Sequence, residues 1–247
     1  MVRFALILLL AFFPAFHALA ESGRSGELRI VVPDDAAPLA YREESGRLTG
    51  FSVEIARALC EEIRVNCIFD VAAQSEVLER LLQGKADIAA TGVFDGRQPG
   101  GKLILADPYY RSFSIWLGQA DVPPGRAGAR VAVVSGSLQE DYARRQGWAV
   151  RAVRSGGELT RSLLAGEAEA ALVPMIFALQ MQKNIAFRRL GLTPTVLRAP
   201  ELGGDISFGI SPQRPQLKTE INAALERIKR NGTYDRINSR FLPFRVS

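Results

Sequence analysis

The sequence predicts an α/β protein made of two similar units in succession, each a parallel sheet with helices on both faces. Three observations carry this. Residues 27–91 read strand, helix, strand, helix, strand, and residues 129–174 repeat that order. Between them DPYYRSFSIWLGQADVPPGRAG (107–128) joins an aromatic-rich extended stretch to a Pro/Gly loop, as expected of a chain crossing from one unit to the other.

In the first unit LRIVV is a short apolar run that stops at Pro33 and reads as a buried strand. The turn EESGR leads to GFSVEIARALCEEI, where Phe51, Ile55, Ala58, Leu59 and Ile63 recur at helical spacing and Ser52 is placed to cap the helix. NCIFDVA is the second strand. SEVLERLLQGK is a short amphipathic helix from Ser75 to Gly84, and ADIAAT the third strand. The second unit runs ARVAVVSGS (strand and glycine turn), LQEDYARRQG (helix), AVRAV (strand), GELTRSLLAGE (helix) and AEAALVP (strand). A second extended stretch, DISFGIS, precedes the helix PQLKTEINAALERIKRNG, whose Leu217, Ile221, Ala224, Leu225 and Ile228 form one apolar face.

The first twenty residues, MVRFALILLLAFFPAFHALA, carry one Arg, an apolar run and an Ala18-Leu19-Ala20 end, the form of a secretory signal peptide cleaved after Ala20. A retained anchor is the competing reading, but Pro14 breaks the run short of the ~20 residues that a spanning helix needs. No Cys follows closely, so a lipoprotein anchor is not expected, and in a two-membrane bacterium the mature protein is periplasmic. In that oxidising compartment the only two cysteines, Cys60 and Cys67, are most simply a disulfide.

The only histidine, His17, leaves with the leader, which excludes a Ser-His-Asp triad, a Cys-His dyad and a histidine-ligated metal, so neither a metal nor a cofactor is expected. The net charge falls from +5 to +4 once Arg3 is removed. That excess is dispersed, with no long basic block and no interleaved aromatics, and gives nucleic-acid binding little support.

Several separated stretches resemble the family 3 solute-binding proteins, the periplasmic receptors of polar-amino-acid ABC transporters. GRLTGFSVEIARALCEEIRVNC carries the family's GxxxGF helix with the C-x6-C pair of its lysine-, arginine- and histidine-binding members. LLQGKADIAATG, ADPYY and KRNGTYDRINSRF match further family segments in the same order, so the resemblance spans residues 27–244. It implies a two-lobed periplasmic binding protein-like fold of type II, its lobes joined by two crossover strands. Residues 21–110 and 205–247 would form lobe 1, and residues 111–204 lobe 2. The implied partners are a small carboxylate-containing ligand held between the lobes and an ABC permease, with the protein acting as a monomer.

The resemblance also nominates contacts. Arg97 falls where the family keeps an arginine for the ligand carboxylate, a role suited to a guanidinium fork; a solvated loop arginine is the alternative. Ser137 falls in the family's carboxylate-binding turn, and with Glu140 it also fits the S-x-x-E capping box. Thr91 and Gly92 lie at a strand end that commonly finishes the carboxylate site. Departures are as informative. Pro174 stands where the family has the aspartate that pairs with a ligand ammonium, and Pro33, Ala36, Gln74 and Phe94 replace other contact residues. Asp34 and Asp35 are candidate substitutes for lost acids or simply an exposed turn, and Glu169 and Asp205 are further acids expected near the cleft. Trp116 and Tyr109 are expected to be packing residues. An ammonium taken out of water needs an anionic partner, so the expected ligand is a carboxylate lacking a free α-amino group, or one whose amine is recognised elsewhere.

Three functional readings follow from the resemblance. The leading one is a solute receptor for an ABC importer. The second is an accessory protein of a periplasmic quinoprotein alcohol dehydrogenase system. The third is an arogenate or prephenate dehydratase-like enzyme, in which Glu169 or Asp35 would act as the acid.

Overall fold

The computed structural model describes residues 26–94 and 103–246. The leader and Arg97 lie outside them. The first unit comprises β1 (Glu27–Pro33), the small hairpin β2 (Tyr41–Arg42) and β3 (Leu48–Thr49), α1 (Phe51–Ile63), β4 (Asn66–Ala72), α2 (Gln74–Leu82), β5 (Ile88–Phe94) and β6 (Ile104–Leu105). The long strand β7 (Tyr110–Gly118) leads to β8 (Arg130–Val134), α3 (Leu138–Arg145), β9 (Ala149–Val153), α4 (Gly156–Leu164), β10 (Ala170–Pro174), α5 (Met175–Met181), α6 (Ile185–Arg188) and β11 (Thr193–Val196). A second long strand, β12 (Gly203–Ile210), returns to α7 (Leu217–Arg230) and α8 (Thr233–Phe241).

The main sheet runs β4-β1-β5-β12-β7-β10-β8-β9. β1 pairs in parallel with β4 and β5, and β8 pairs in parallel with β9 and β10. These are the two expected α/β lobes. They are joined by β7 and β12, which run antiparallel to each other over Tyr110–Phe113 and Gly203–Ile206. Beyond that shared segment β7 continues into lobe 2 beside β10, and β12 into lobe 1 beside β5.

Both lobes follow the period of two that a covered sheet requires. In β1, Leu28, Ile30 and Val32 pack with α1 and α7, while Val31 turns to Val77 and Leu81 of α2. In lobe 2, Val131, Val133 and Leu172 join Trp116 and Ala143 of α3. Ala132, Ala171 and Val173 face Leu159 and Leu163 of α4. The expected apolar face of α7 is buried throughout, as are Tyr109 and Trp116. No helix among the described residues is long and apolar enough to cross a membrane.

Ser52 does not cap α1. The helix begins one residue earlier, at Phe51, and its first N–H groups are met by distant carbonyls: Phe51 donates to Pro38 O (2.9 Å) and Ser52 to Leu39 O (3.0 Å). The Ser52 side chain is buried in the first turn, where Oγ shares a 2.8 Å hydrogen bond with the Tyr109 hydroxyl. Ser75 likewise lies inside α2, which starts at Gln74 without a side-chain cap.

Cys60 in the last turn of α1 and Cys67 in β4 form a disulfide with their Cα atoms 6.1 Å apart. Closing so short a loop contributes about 2.5 kcal/mol on the chain-entropy account. Alkylation of the folded, unreduced protein should therefore label neither cysteine. Reduction should lower Tm by roughly 5–10 °C while the circular-dichroism spectrum of the folded protein persists at 25 °C.

Candidate functional site

A cavity of about 250 Å³ opens where the lobes meet. Its walls are strand C-terminal ends and helix N-termini, the places where sheets of this kind present backbone donors. Lobe 1 contributes the end of β1 through Ala36, Gln74 and Leu78 of α2, and Ala90 and Thr91 of β5. Lobe 2 contributes Val134 at the end of β8, Gly136 to Gln139, the start of α4, Leu172 to Pro174 of β10, and Phe177 of α5. Tyr110 and Ser112 of β7 and Ile206 of β12 form the floor.

The N-termini of α3 and α4 are built alike but used differently. In α3, Ser137 Oγ accepts the Glu140 N–H (3.2 Å), and Glu140 Oε2 accepts the N–H of Gly136 (2.7 Å). The capping box read from the sequence is therefore present, with its return bond one residue earlier than usual. In α4, Ser155 Oγ accepts the Glu158 N–H (3.2 Å) and Glu158 Oε2 the Arg154 N–H (3.0 Å). The remaining donors of α4 are met from the other lobe. Asp35 Oδ2 accepts from Ser155 Oγ (2.8 Å) and the Gly157 N–H (3.1 Å), and Asp35 O accepts the Gly156 N–H (3.3 Å). At α3, no protein acceptor among the described residues meets the first two helical N–H groups, those of Leu138 and Gln139. Both residues line the cavity.

Two glycines allow the lobes to approach this closely. A Cβ on Gly157 would stand 2.2 Å from Asp35 Oδ2, and one on Gly136, which has φ +75°, would stand 2.4 Å from Ser75 Cα. The two contacts join α4 to the β1 loop and the β8–α3 turn to α2.

Polar atoms around the cavity are mostly committed. Thr91 Oγ1 donates to Gln74 Oε1 (3.1 Å). Gln139 Nε2 donates to Ser114 Oγ (2.9 Å), which donates in turn to Leu202 O (2.9 Å) and so ties α3 to β7. Burial pushes the Tyr110 phenol well up, and Tyr109 and Tyr234 beside it add to the effect, so Tyr110 stays a neutral O–H. Ser112 is the exception. Only 3% exposed, its Oγ is the one buried side-chain polar atom among the described residues without a hydrogen-bond partner. Leaving such a group unmet costs about 1–3 kcal/mol.

Of the residues nominated from sequence, Asp34, Asp35, Thr91 and Ser137 line this one cavity. Gly92 follows Thr91 in β5, and Arg97 lies outside the described residues. Pro33, Ala36, Gln74 and Pro174, where the family pattern is broken, line it as well. Glu169 and Asp205 are not among its lining residues. Glu169 precedes β10, at the end of the strand away from the cleft, and accepts the Arg130 N–H (3.0 Å). Asp205 shares the outer face of the crossover with Arg111 (3.6 Å), opposite to Tyr110 and Ser112. Sequence reasoning missed Ser112, Tyr110 and Gln139. The available signal was in YRSFS, where hydroxyl residues alternate with Arg111 and Phe113, so that the polar positions of β7 are the buried ones.

Residues 28–244 match the pattern of the bacterial extracellular solute-binding proteins, family 3. The chain belongs to that family. It is 25% identical over 246 residues to the lysine/arginine/ornithine-binding periplasmic protein of Escherichia coli (strain K12), covering 94% of this chain and 92% of the relative. Its fold is shared with an ancestral arginine-binding protein bound to arginine, at a TM-score of 0.76 and 22% identity over 88% of this chain and 98% of the other. It is shared also with an ancestral amino acid-binding protein that is a precursor of cyclohexadienyl dehydratase, at a TM-score of 0.74 and 23% identity over 87% and 95%.

Asp35 should act as a latch between the lobes. Asp35→Ala removes its two carboxylate bonds, and Gly157→Ala blocks them sterically. Either substitution should lower stability by about 1 kcal/mol and raise the radius of gyration measured by small-angle scattering. An unchanged scattering profile in both variants would show that the contact has no part in holding the lobes together.

Proposed function

We propose that this protein is a periplasmic receptor that captures a small carboxylate-containing solute, an amino acid or a related organic acid, between its lobes and delivers it to an ABC importer. One observation carries the reading: two helix N-termini of the same construction flank the cavity, and one already holds a carboxylate, that of Asp35. At the other, α3, the N–H groups of Leu138 and Gln139 have no protein acceptor among the described residues, and both residues line the cavity. An N-terminus with spare donors favours an anion there. Arg97 is the proposed second grip on the solute carboxylate, with Thr91 and Gly92 beside it. The names of the E. coli relative and of the ancestral arginine-binding protein support an amino acid or a close analogue as the solute class.

On this reading the leader directs export and is removed, the protein works as a monomer, and the permease docks on the closed form. No catalytic step is assigned. The two acids that the dehydratase reading nominates are poorly placed for it: Glu169 is absent from the cavity lining and the Asp35 carboxylate is engaged by α4.

The test is a thermal-shift screen of refolded protein against amino acids, dicarboxylates, keto acids and aromatic acids. A ligand at 100 times its Kd stabilises by about 2.7 kcal/mol, or roughly 5–10 °C for a chain of this size. Arg97→Ala should weaken the binding of the solute so found by about 2–5 kcal/mol, the range for truncating one side of a buried charge pair. Pro174→Asp should shift preference toward zwitterionic amino acids. No shift with any compound would refute the receptor reading, and tight binding that survives Arg97→Ala would refute the assigned grip.

A further inference from the structure

We propose that Ser112 is a ligand-contacting residue that sets specificity: its hydroxyl, at the cavity floor, takes a neutral hydrogen-bonding group of the solute. This rests on the receptor reading of the same cavity and adds the chemistry of the solute's buried part.

Ser112 occupies the point where β7 exchanges one partner strand for the other, pairing with Gly204 on one side while Ser114 begins the pairing with β10. The two serines face the same way, about 7 Å apart along the strand, and their fates differ. Ser114 Oγ is met by Gln139 and Leu202. Ser112 lines the cavity, and its Oγ, buried there, is met by nothing among the described residues. Gly204 has no side chain to offer it. An alanine would fill the position without an unmet hydroxyl, so the oxygen is a net cost to the fold unless something in the cavity bonds to it.

The surroundings specify a neutral group. The acids that line the cavity, Asp34, Asp35 and Asp141, are all exposed, and Asp35 is committed to α4. No Lys or Arg lines the cavity among the described residues. Around Ser112 the floor is Tyr110, which stays protonated, and Ile206, with Pro174 opposite Ser114. A charge placed there would be buried without a counter-charge. A serine hydroxyl can both donate and accept, so a hydroxyl, a keto oxygen or a carboxamide satisfies it. A carboxylate held at the α3 N-terminus lies within a small molecule's length of the floor, because Gln139 of that terminus is bonded to Ser114. The implied solute is thus a carboxylate with a neutral polar substituent a few bonds away.

The experiment uses matched probes: (S)-lactate against propionate, (S)-malate against succinate, L-homoserine against L-norvaline, and L-glutamine against L-norleucine. Affinities are measured by calorimetry for the parent, Ser112→Ala and Ser112→Thr. In the pair that the cleft accepts, the polar member should bind the parent at least ~10-fold tighter. Ser112→Ala should bring that ratio to within about threefold and raise the Tm of the unliganded protein by roughly 2–4 °C. Ser112→Thr, which keeps the hydroxyl, should retain the preference. A ratio unchanged in Ser112→Ala, or a parent that binds both members equally, overturns this inference alone. A parent that binds none of these probes and nothing in the broader screen overturns the receptor reading and this inference with it.

Discussion

The arrangement of the two lobes depends on how β7 leaves the first of them, and that is fixed around Tyr109. Its buried ring stacks on Phe208 of β12 at 4.3 Å between centroids and meets Tyr110 edge-on at 4.8 Å. Its hydroxyl bonds to Ser52 of α1, and its carbonyl accepts the Tyr234 hydroxyl of α8. One residue thereby joins both crossover strands to two helices of lobe 1. Burial pushes its phenol up, with the Ser52 bond opposing, so it stays neutral through the physiological range. Because Tyr109 sets the register at the start of β7, it also decides that Tyr110, Ser112 and Ser114 turn inward and that Arg111 and Phe113 turn out.

The polar atoms of the cleft then sort by whether the protein itself satisfies them. Thr91, Gln74, Ser114 and Gln139 bond to one another or to backbone, and Asp35 serves α4. Among the buried side-chain polar atoms of the described residues only the Ser112 hydroxyl is left over, and nearby the first N–H groups of α3 also lack a protein partner. Buried polar groups are nearly always satisfied in folded proteins, so this pattern of excess and economy marks where a second molecule belongs more sharply than the cavity's shape does.

Much of the fold was legible because its signals are local. Runs such as LRIVV and RVAVV announce covered parallel strands, and the face of α7 from Leu217 to Ile228 repeats at helical spacing within a fourteen-residue helix. Residues 175–196 were not read, since α5 has seven residues and α6 four, too few turns for a period to emerge. Ser52 was misassigned as a cap because the acceptors that replace it, Pro38 O and Leu39 O, come from a loop that only the tertiary fold brings there. In the cleft, the family pattern pointed to Asp34, Asp35, Thr91 and Ser137, but it could not tell which face of a strand an acid occupies. Asp205 therefore stood wrongly beside the cavity, and Glu169 did so because it precedes β10, at the end of the strand away from the cleft. Ser112 was missed because the alternation of hydroxyl residues with Arg111 and Phe113 in YRSFS signals two faces but does not by itself say which one is buried.

The same geometry says how closure and capture are coupled. The Asp35 contacts with α4 need no solute, so they favour the closed arrangement whether or not one is bound. On the proposed reading, the α3 N-terminus and the wall of β1 and β5 reward closure only when a solute spans them, because each lobe supplies only part of the cavity. A ligand shifts such an equilibrium only by its differential affinity for the two arrangements. Strengthening the Asp35 contacts would therefore tighten apparent binding just until the closed form predominates; beyond that point it would only slow entry and release. Two hydrogen bonds accepted by an exposed carboxylate are a contact of the modest size that this limit favours, and they leave most of the discrimination between closed and open to the solute itself.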